Sequence, residues 1–143
     1  MKLMSKEFFY PMKSNYNYFM ISPFFMLTLI LSMWLIYPFK MNLLNFNLNS
    51  LFFLCLVSMG VYGLMMAGWA SNTYFSMLGA IRSIAQSISY EVTFSLSFLL
   101  SMFMINSLNL NHLPMHQKYL WMMFFIWPSS IILLMSMLAE LNR

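Results

Sequence analysis

Charge is scarce in this sequence. Lys, Arg, Asp and Glu make up 7% of its 143 residues, and only three residues are acidic. Ordinary soluble domains carry about 25% charged residues, so this chain lacks the polar surface that a soluble globule of its length needs. Hydrophobic residues make up 62%, and the mean hydropathy is +0.74. The composition therefore predicts a protein of the lipid bilayer, whose length sets the number of membrane crossings.

Cysteine is also nearly absent. Cys55 is the only one, which excludes an internal disulfide and a cysteine metal framework, and we interpret it as a packing residue. His112 and His116 stand four residues apart, but Pro114 lies between them and no third ligand is near, so we expect an interfacial loop and no metal site. No nucleotide loop, catalytic triad or CxxC motif occurs, so we expect no flavin, iron–sulfur centre or nucleotide in this chain.

Basic residues outnumber acidic ones and give a net charge of +4, but they are scattered along the chain. Because they form no dense patch, the sequence does not predict nucleic-acid binding. The basic residues are better explained by membrane topology, since Lys and Arg collect on the side of the membrane that is not translocated.

Four apolar stretches are long enough to cross a bilayer, which takes about 20 residues of helix. The predicted fold class is an all-α membrane protein with four transmembrane helices in a single region, residues 1–143. The first span ends before Pro38, the third is longer than one crossing requires, and the fourth contains Pro128 as a kink. Residues 68–73 are predicted to form a turn and residues 106–118 a polar loop. The predicted spans are residues 18–37, 51–67, 76–105 and 120–138.

Small residues in the second span predict a helix contact. Gly60, Gly63 and Ala67 recur at helical spacing and form one narrow face that another helix can approach closely.

The distribution of basic residues predicts how the chain is oriented in the membrane. Four spans place both ends of the chain on one side, which receives Lys2, Lys6, Lys13 and Arg143, whereas the other side receives Lys40 and Lys118. Both ends and the turn at residues 68–73 are therefore expected to face a cytosol-like or matrix-like compartment.

The most unusual stretch runs from Gly68 to Val92 and places polar side chains at the depth of the membrane. Glu91 lies well inside the third span, where a carboxylate costs on the order of 3 kcal/mol, so it should face protein or water and have a partner or a proton. The alternative is a solvated position at the membrane interface.

Helical geometry separates the polar residues of this span into two faces. Arg82 precedes Glu91 by nine residues, half a turn away on an ideal helix, so the two do not pair within the helix. Ser83 and Ser87 share the face of Glu91, while Gln86 and Tyr90 share that of Arg82. Two polar faces favour a helix buried among others or lining a cavity. Beyond the fourth span, Glu140 and Arg143 have the spacing of a surface ion pair.

Three segments resemble a known family. They are Gly-Trp-Ala-Ser-Asn at 68–72, Gly-Ala-Ile-Arg-Ser-Ile-Ala-Gln-Ser-Ile-Ser-Tyr-Glu-Val at 79–92 and Ala-Glu-Leu-Asn-Arg at 139–143. Their order and spacing resemble the chain 1 subunits of mitochondrial NADH-ubiquinone oxidoreductase, respiratory complex I, over almost the whole chain. Leu141 stands where the family usually has Thr. The abundance of Met, Phe and Asn is similar to that of proteins from AT-rich mitochondrial genomes.

The resemblance implies that this chain is a fragment of a larger helical bundle. Family members begin with a further transmembrane helix and continue past Ala-Glu-x-Asn-Arg into an acidic loop and more spans. Because that first helix and that loop help form the quinone cavity of the family, we expect no complete active site in this chain alone. On this interpretation Met1 need not be an initiator.

The family also implies a function and a location. The chain would be a core subunit of the proton-translocating NADH:ubiquinone reductase in the mitochondrial inner membrane, with both ends toward the matrix. Glu91 and Glu140 resemble buried carboxylates of the proton path, and Arg82 resembles an arginine near the quinone cavity. Ubiquinone is the implied substrate, and the other subunits of the complex and membrane lipid are the implied partners.

Two other interpretations remain open. The helices could form an assembly surface on which the polar groups only hold neighbouring subunits. Alternatively, the chain could be a small transporter or channel with Glu91 as an ion or proton site. Apolar substitutions at Arg82 and Glu91 test the first, and ion flux through liposomes that contain the isolated chain tests the second.

Overall fold

A computed structural model describes residues 1–7, 9, 11–37 and 46–140. In these ranges every regular element is a helix and no strand occurs, which confirms the predicted all-helical class. Predictions for Pro38, Lys40, Leu141 and Arg143 lie outside these ranges. The long helices are α1 (Tyr16–Met33), extended by a 3-10 turn at Trp34–Ile36, α2 (Asn49–Ala70) and α3 (Tyr74–Phe103). They are followed by a 3-10 turn at Leu110–His112 and by α4 (Leu113–His116), α5 (Met122–Phe125) and α6 (Trp127–Glu140).

Helices α1 and α2 pack antiparallel. The backbone N–H of Asn15, just before α1, donates to the carbonyl of Ala70 at the end of α2, over 2.9 Å. Further along, Gly63 lies against Met26, and a Cβ at position 63 would collide with the thioether of Met26. The predicted packing face is thus correct at Gly63, whereas a Cβ at Gly60 would meet nothing.

Helices α2 and α3 are also antiparallel. Gly68 near the end of α2 lies against Ala80 near the start of α3. At the other end of the pair, the ring of Phe53 lies 6.4 Å from that of Phe94 and 5.8 Å from that of Phe98. The glycine allows close approach at one end, and the aromatic cluster fills the wider gap at the other.

The turn predicted at residues 68–73 was wrong in its first half. Helix α2 continues to Ala70, and only Ser71 to Thr73 connect it to α3. Gly68 is needed for packing against Ala80, not for a turn conformation, since no described glycine has a positive φ. Asn72, with φ 52°, adopts the left-handed conformation instead. Asparagine tolerates this region because its side chain is short and polar.

The single helix predicted over residues 120–138 was also wrong. Leu120 is not helical, α5 ends at Phe125, and α6 begins at Trp127. The break lies at Ile126, whose φ of −119° and ψ of 37° leave the helical region. Pro128 then falls in the first turn of α6, where its missing N–H costs no intrahelical hydrogen bond. The proline therefore starts a new helix, where a kink within one helix was predicted.

The segment predicted as a polar loop, residues 106–118, contains the second 3-10 turn and α4. It is bonded to the start of α2. The hydroxyl of Ser50, whose residue is fully buried, donates to the carbonyl of Leu108 over 2.7 Å, and the amide nitrogen of Asn49 donates to Oδ1 of Asn109 over 3.3 Å. These bonds close the end of the α2–α3 pair that lies opposite Gly68.

The four longest helices form an open row. Helix α1 packs chiefly on α2, α2 on α3 and α3 on α6. Consequently few apolar side chains are buried, and many large ones are exposed. Cys55 is also exposed, so its predicted role as a packing residue was wrong. An apolar exterior on this scale needs lipid or other helices to cover it.

Two of the helices are long and apolar enough to cross a membrane. They are Tyr16–Ile36, which includes the 3-10 turn, and Asn49–Ala70, and they correspond to the first two predicted spans. By contrast, α3 contains many polar residues, and α6 is an apolar helix of only 14 residues.

Candidate functional site

Helix α3 carries the polar residues that the sequence singles out. Most of its hydroxyls bond to their own helix: Ser83 donates to the carbonyl of Ala80, and Ser87 donates to the carbonyl of Ser83, each over 2.9 Å. A serine that bonds back to the preceding turn needs no partner on another element. The bonds within the helix therefore reduce the free-energy cost of placing these serine hydroxyls in an apolar environment, and the serines provide no reactive group.

The two carboxylates singled out by sequence are brought together. Glu91 lies in the middle of α3 and Glu140 at the end of α6, and both are partly buried. Glu140 follows Ala139, whose carbonyl is bonded to Gln86 of α3, five positions before Glu91. Two carboxylates that repel each other in a partly desolvated site do not both hold a negative charge easily, so a proton taken up by one affects the other.

Gln86 joins the two helices beside this pair. Its side-chain Nε2 donates to the backbone carbonyl of Ala139 over 3.1 Å. Ala139 is in the last turn of α6, whose carbonyls lack a partner within the helix, so Gln86 supplies the missing donor. Sequence reasoning placed Gln86 only on the face of Arg82 and missed this contact. A glutamine within a span at membrane depth was the available indication.

Arg82 is exposed on α3. It precedes Glu91 by nine positions, which on a helix is about 13 Å along the axis and half a turn around it. Arg82 and Glu91 therefore do not pair within α3. The contact between the helices that carry Glu91 and Glu140 is held by helix packing and by Gln86.

Two cavities in the described part of the chain lie elsewhere. One of about 840 Å³ is lined by Trp34, Tyr37 and Phe53 together with residues of the 109–114 segment, and one of about 760 Å³ adjoins Leu51, Met102 and Ser107. Neither is lined by Glu91, Glu140 or Arg82. Among the described residues no group of three His, Cys, Asp or Glu side chains is arranged to hold a metal ion. The site is thus a carboxylate pair between two helices.

The fold and site together define a class: a helical protein with two membrane-length apolar helices and a pair of carboxylates at a helix–helix contact. Residues 1–143 match the family model described as NADH dehydrogenase, and the chain belongs to that family.

Several curated relatives are named NADH-ubiquinone oxidoreductase chain 1. The relative from Aedes aegypti is 45% identical over 142 residues, which cover 99% of this chain and 45% of the relative. Those from Anopheles gambiae and Balaenoptera physalus are 44% and 42% identical over the same shares of each chain. The chain thus spans a little under half the length of these relatives.

Proposed function

We propose that this chain is part of a core membrane subunit of the proton-pumping NADH:ubiquinone oxidoreductase. The observation that carries the proposal is the contact between α3, which carries Glu91, and the end of α6, which carries Glu140, in a member of the NADH dehydrogenase family. In this proposal the subunit forms part of the quinone cavity, and the two carboxylates belong to the path that couples quinone reduction to proton translocation.

The proposed mechanism is coupling by charge. Electrons reach ubiquinone, the substrate, from other subunits of the complex. The charge in the quinone site changes when the quinone is reduced. A change of charge nearby shifts the protonation of a carboxylate pair whose members already repel each other. Glu91 and Glu140 would pass this change on as a proton movement toward the membrane arm. Arg82 would lie near the quinone cavity and act on the quinone site without contacting the pair.

The proposed setting is the mitochondrial inner membrane. Helix α1 with its 3-10 turn and helix α2 are two of the crossings, and α3 and the α5–α6 pair would be the third and fourth. Their polar side chains would be covered by other subunits of the complex and their apolar ones in part by lipid. Both ends of the chain would face the matrix, where basic residues are retained.

The experiment that tests this proposal is Glu91→Gln in the assembled complex. The substitution keeps the size of the side chain and one acceptor oxygen but removes its charge and its ability to take up a proton, so we expect lower NADH-driven quinone reduction and proton pumping. The matched control is Glu7→Gln, since Glu7 is the only other acidic residue and is exposed before α1. Coupled activity that is equal in both variants and in the unchanged complex would contradict the proposal.

The exposed apolar surface supports a second candidate, a structural assembly role without chemistry. In that case the polar groups of α3 would only hold neighbouring subunits. Complexes with Arg82→Leu and Glu91→Leu would then assemble and keep full coupled activity, whereas the coupling proposal predicts assembled complexes that lose it. Quantifying the assembled complex on native gels beside the activity assay separates the two outcomes.

A further inference from the structure

A groove of about 620 Å³ lies at the start of α3. Its polar lining comes from Lys13, before α1, and from Asn72 and Thr73 in the α2–α3 connection. Its apolar lining comes from the first turns of α3, where Met77, Leu78 and Ile81 face it with Tyr74. The groove therefore has a polar part, near Lys13 and the α2–α3 connection, and an apolar part, along the first turns of α3.

The apolar lining continues along α3 as an exposed stripe. Its members recur at steps of three, four and seven residues, which places them on one side of the helix. The stripe extends for about 27 Å along the axis, comparable with the hydrocarbon thickness of a bilayer. It consists of Leu78, Ile81, Ile88, Val92 and Leu96, which are 52 to 64% exposed.

The side chains of this stripe differ from those that the chain uses where its helices meet closely. Gly63 lies against Met26, and Gly68 lies against Ala80, so at least one glycine is present at each close approach. Helices in membranes approach through small residues, whereas large branched side chains are typical of surfaces that face acyl chains. The composition of the stripe favours lipid over another helix as its occupant.

Charge complementarity indicates the headgroup. Lys13 is exposed and is the one charged residue among the described residues that line the groove. The next charged residue along α3 is Arg82, which is also basic and exposed. An ammonium group beside a side-chain amide suits a phosphate oxygen, which accepts hydrogen bonds from both, whereas the hydroxyl of Thr73 already donates to Oγ of Ser76.

We propose that this groove binds a phospholipid with an anionic headgroup, the phosphate at Lys13 and the acyl chains along the stripe of α3. The binding depends on the chemistry of this surface and not on the proposed function, so one can fail without the other.

The test compares lipids bound to the full chain in nanodiscs that contain equal amounts of phosphatidylglycerol and phosphatidylcholine. Native mass spectrometry is expected to find phosphatidylglycerol retained preferentially. A basic residue at an anionic membrane surface contributes on the order of a fivefold preference, so Lys13→Gln should lower the ratio by about that factor. The matched control is Lys118→Gln, another exposed lysine, located between α4 and α5, which should leave the ratio unchanged.

A photoreactive residue identifies the occupant without any change at Lys13. With p-benzoylphenylalanine in place of Leu78, irradiation in the same nanodiscs and in native membranes should yield a phospholipid adduct. An adduct with another protein chain in the native membranes would overturn the proposal. So would equal retention of the two lipids, or the same loss of preference in the Lys13 and Lys118 variants.

Discussion

The side-chain amide of Gln86 donates a 3.1 Å hydrogen bond to the carbonyl of Ala139, and this bond fastens the end of α6 to α3 next to Glu140. It is a contact between a side chain and the backbone of another helix, so it sets the position of α6 along α3 whatever side chain stands at position 139. The position of Glu140 relative to Glu91 depends on it.

Gln86→Met is therefore expected to weaken the contact between α3 and α6. Methionine has a similar size but donates no hydrogen bond, and hydrogen bonds between helices in membranes contribute about 0.6 kcal/mol on average and at most about 1.7. The free energy of unfolding in bicelles should decrease by an amount within that range. Ser89→Ala is the control, because Ser89 is exposed and bonds only to its own helix, at the carbonyl of Gln86. An equal effect of both substitutions would contradict the assigned contact.

Gly68→Ala should destabilise the chain, and Gly60→Ala should not. A Cβ at position 68 collides with Cβ of Ala80, which cannot rotate away, so α2 and α3 have to separate at a cost of about 1–3 kcal/mol. Gly60 is in the same helix and faces open space, so alanine there should stabilise the helix by about 0.8–1.0 kcal/mol. Thermal unfolding by circular dichroism measures both. A loss of stability in both variants would mean that alanine destabilises helix α2 itself, and it would contradict the assigned contact between Gly68 and Ala80.

The effects of Glu91→Gln and Glu140→Gln on proton pumping should not be additive. Because the charge of Glu140 acts on Glu91, the two substitutions should not act independently, and the fold-loss of the double variant should be smaller than the product of the two single fold-losses. Combining Glu91→Gln with Glu7→Gln provides the control, since Glu7 lies outside the pair and its effect should simply multiply. If the fold-losses of the Glu91 and Glu140 substitutions multiply in the same way, the two residues act independently and the predicted coupling between them is wrong.

Asn72→Ala should destabilise the α2–α3 connection, whereas Asn72→Gly should be neutral or mildly stabilising. The backbone at position 72 has φ 52°, which costs an alanine about 1–2 kcal/mol and a glycine nothing. The melting temperatures of the two variants should differ in that order. The opposite order would mean that the side chain of Asn72, not its backbone conformation, is what the connection requires.

Residues 68–73 illustrate how far sequence patterns reach. A cluster of Gly, Ser and Asn indicates a turn, and a turn is present, but the pattern does not say which residue adopts the left-handed conformation. Glycine serves equally well for a positive φ and for close packing. Only the neighbouring helix, with Ala80 against Gly68, decides that the glycine is used for packing and the asparagine for the turn.

Pro128 illustrates the same limit. Its ring forbids an ordinary helix interior, so an interruption nearby was predictable. Whether the helix bends or stops depends on the preceding backbone, and here it stops at Ile126.

The sequence alone determined the helical class and the first two membrane-length helices, because long apolar runs can satisfy their backbone groups in a bilayer only as helices. It also identified Glu91 as costly at that depth. Its partner was decided by the tertiary structure. Residues of α3 and α6 are far apart in the sequence, so their mutual position follows from helix packing and from the bond of Gln86 to Ala139, which together bring the end of α6, with Glu140, against the helix that carries Glu91.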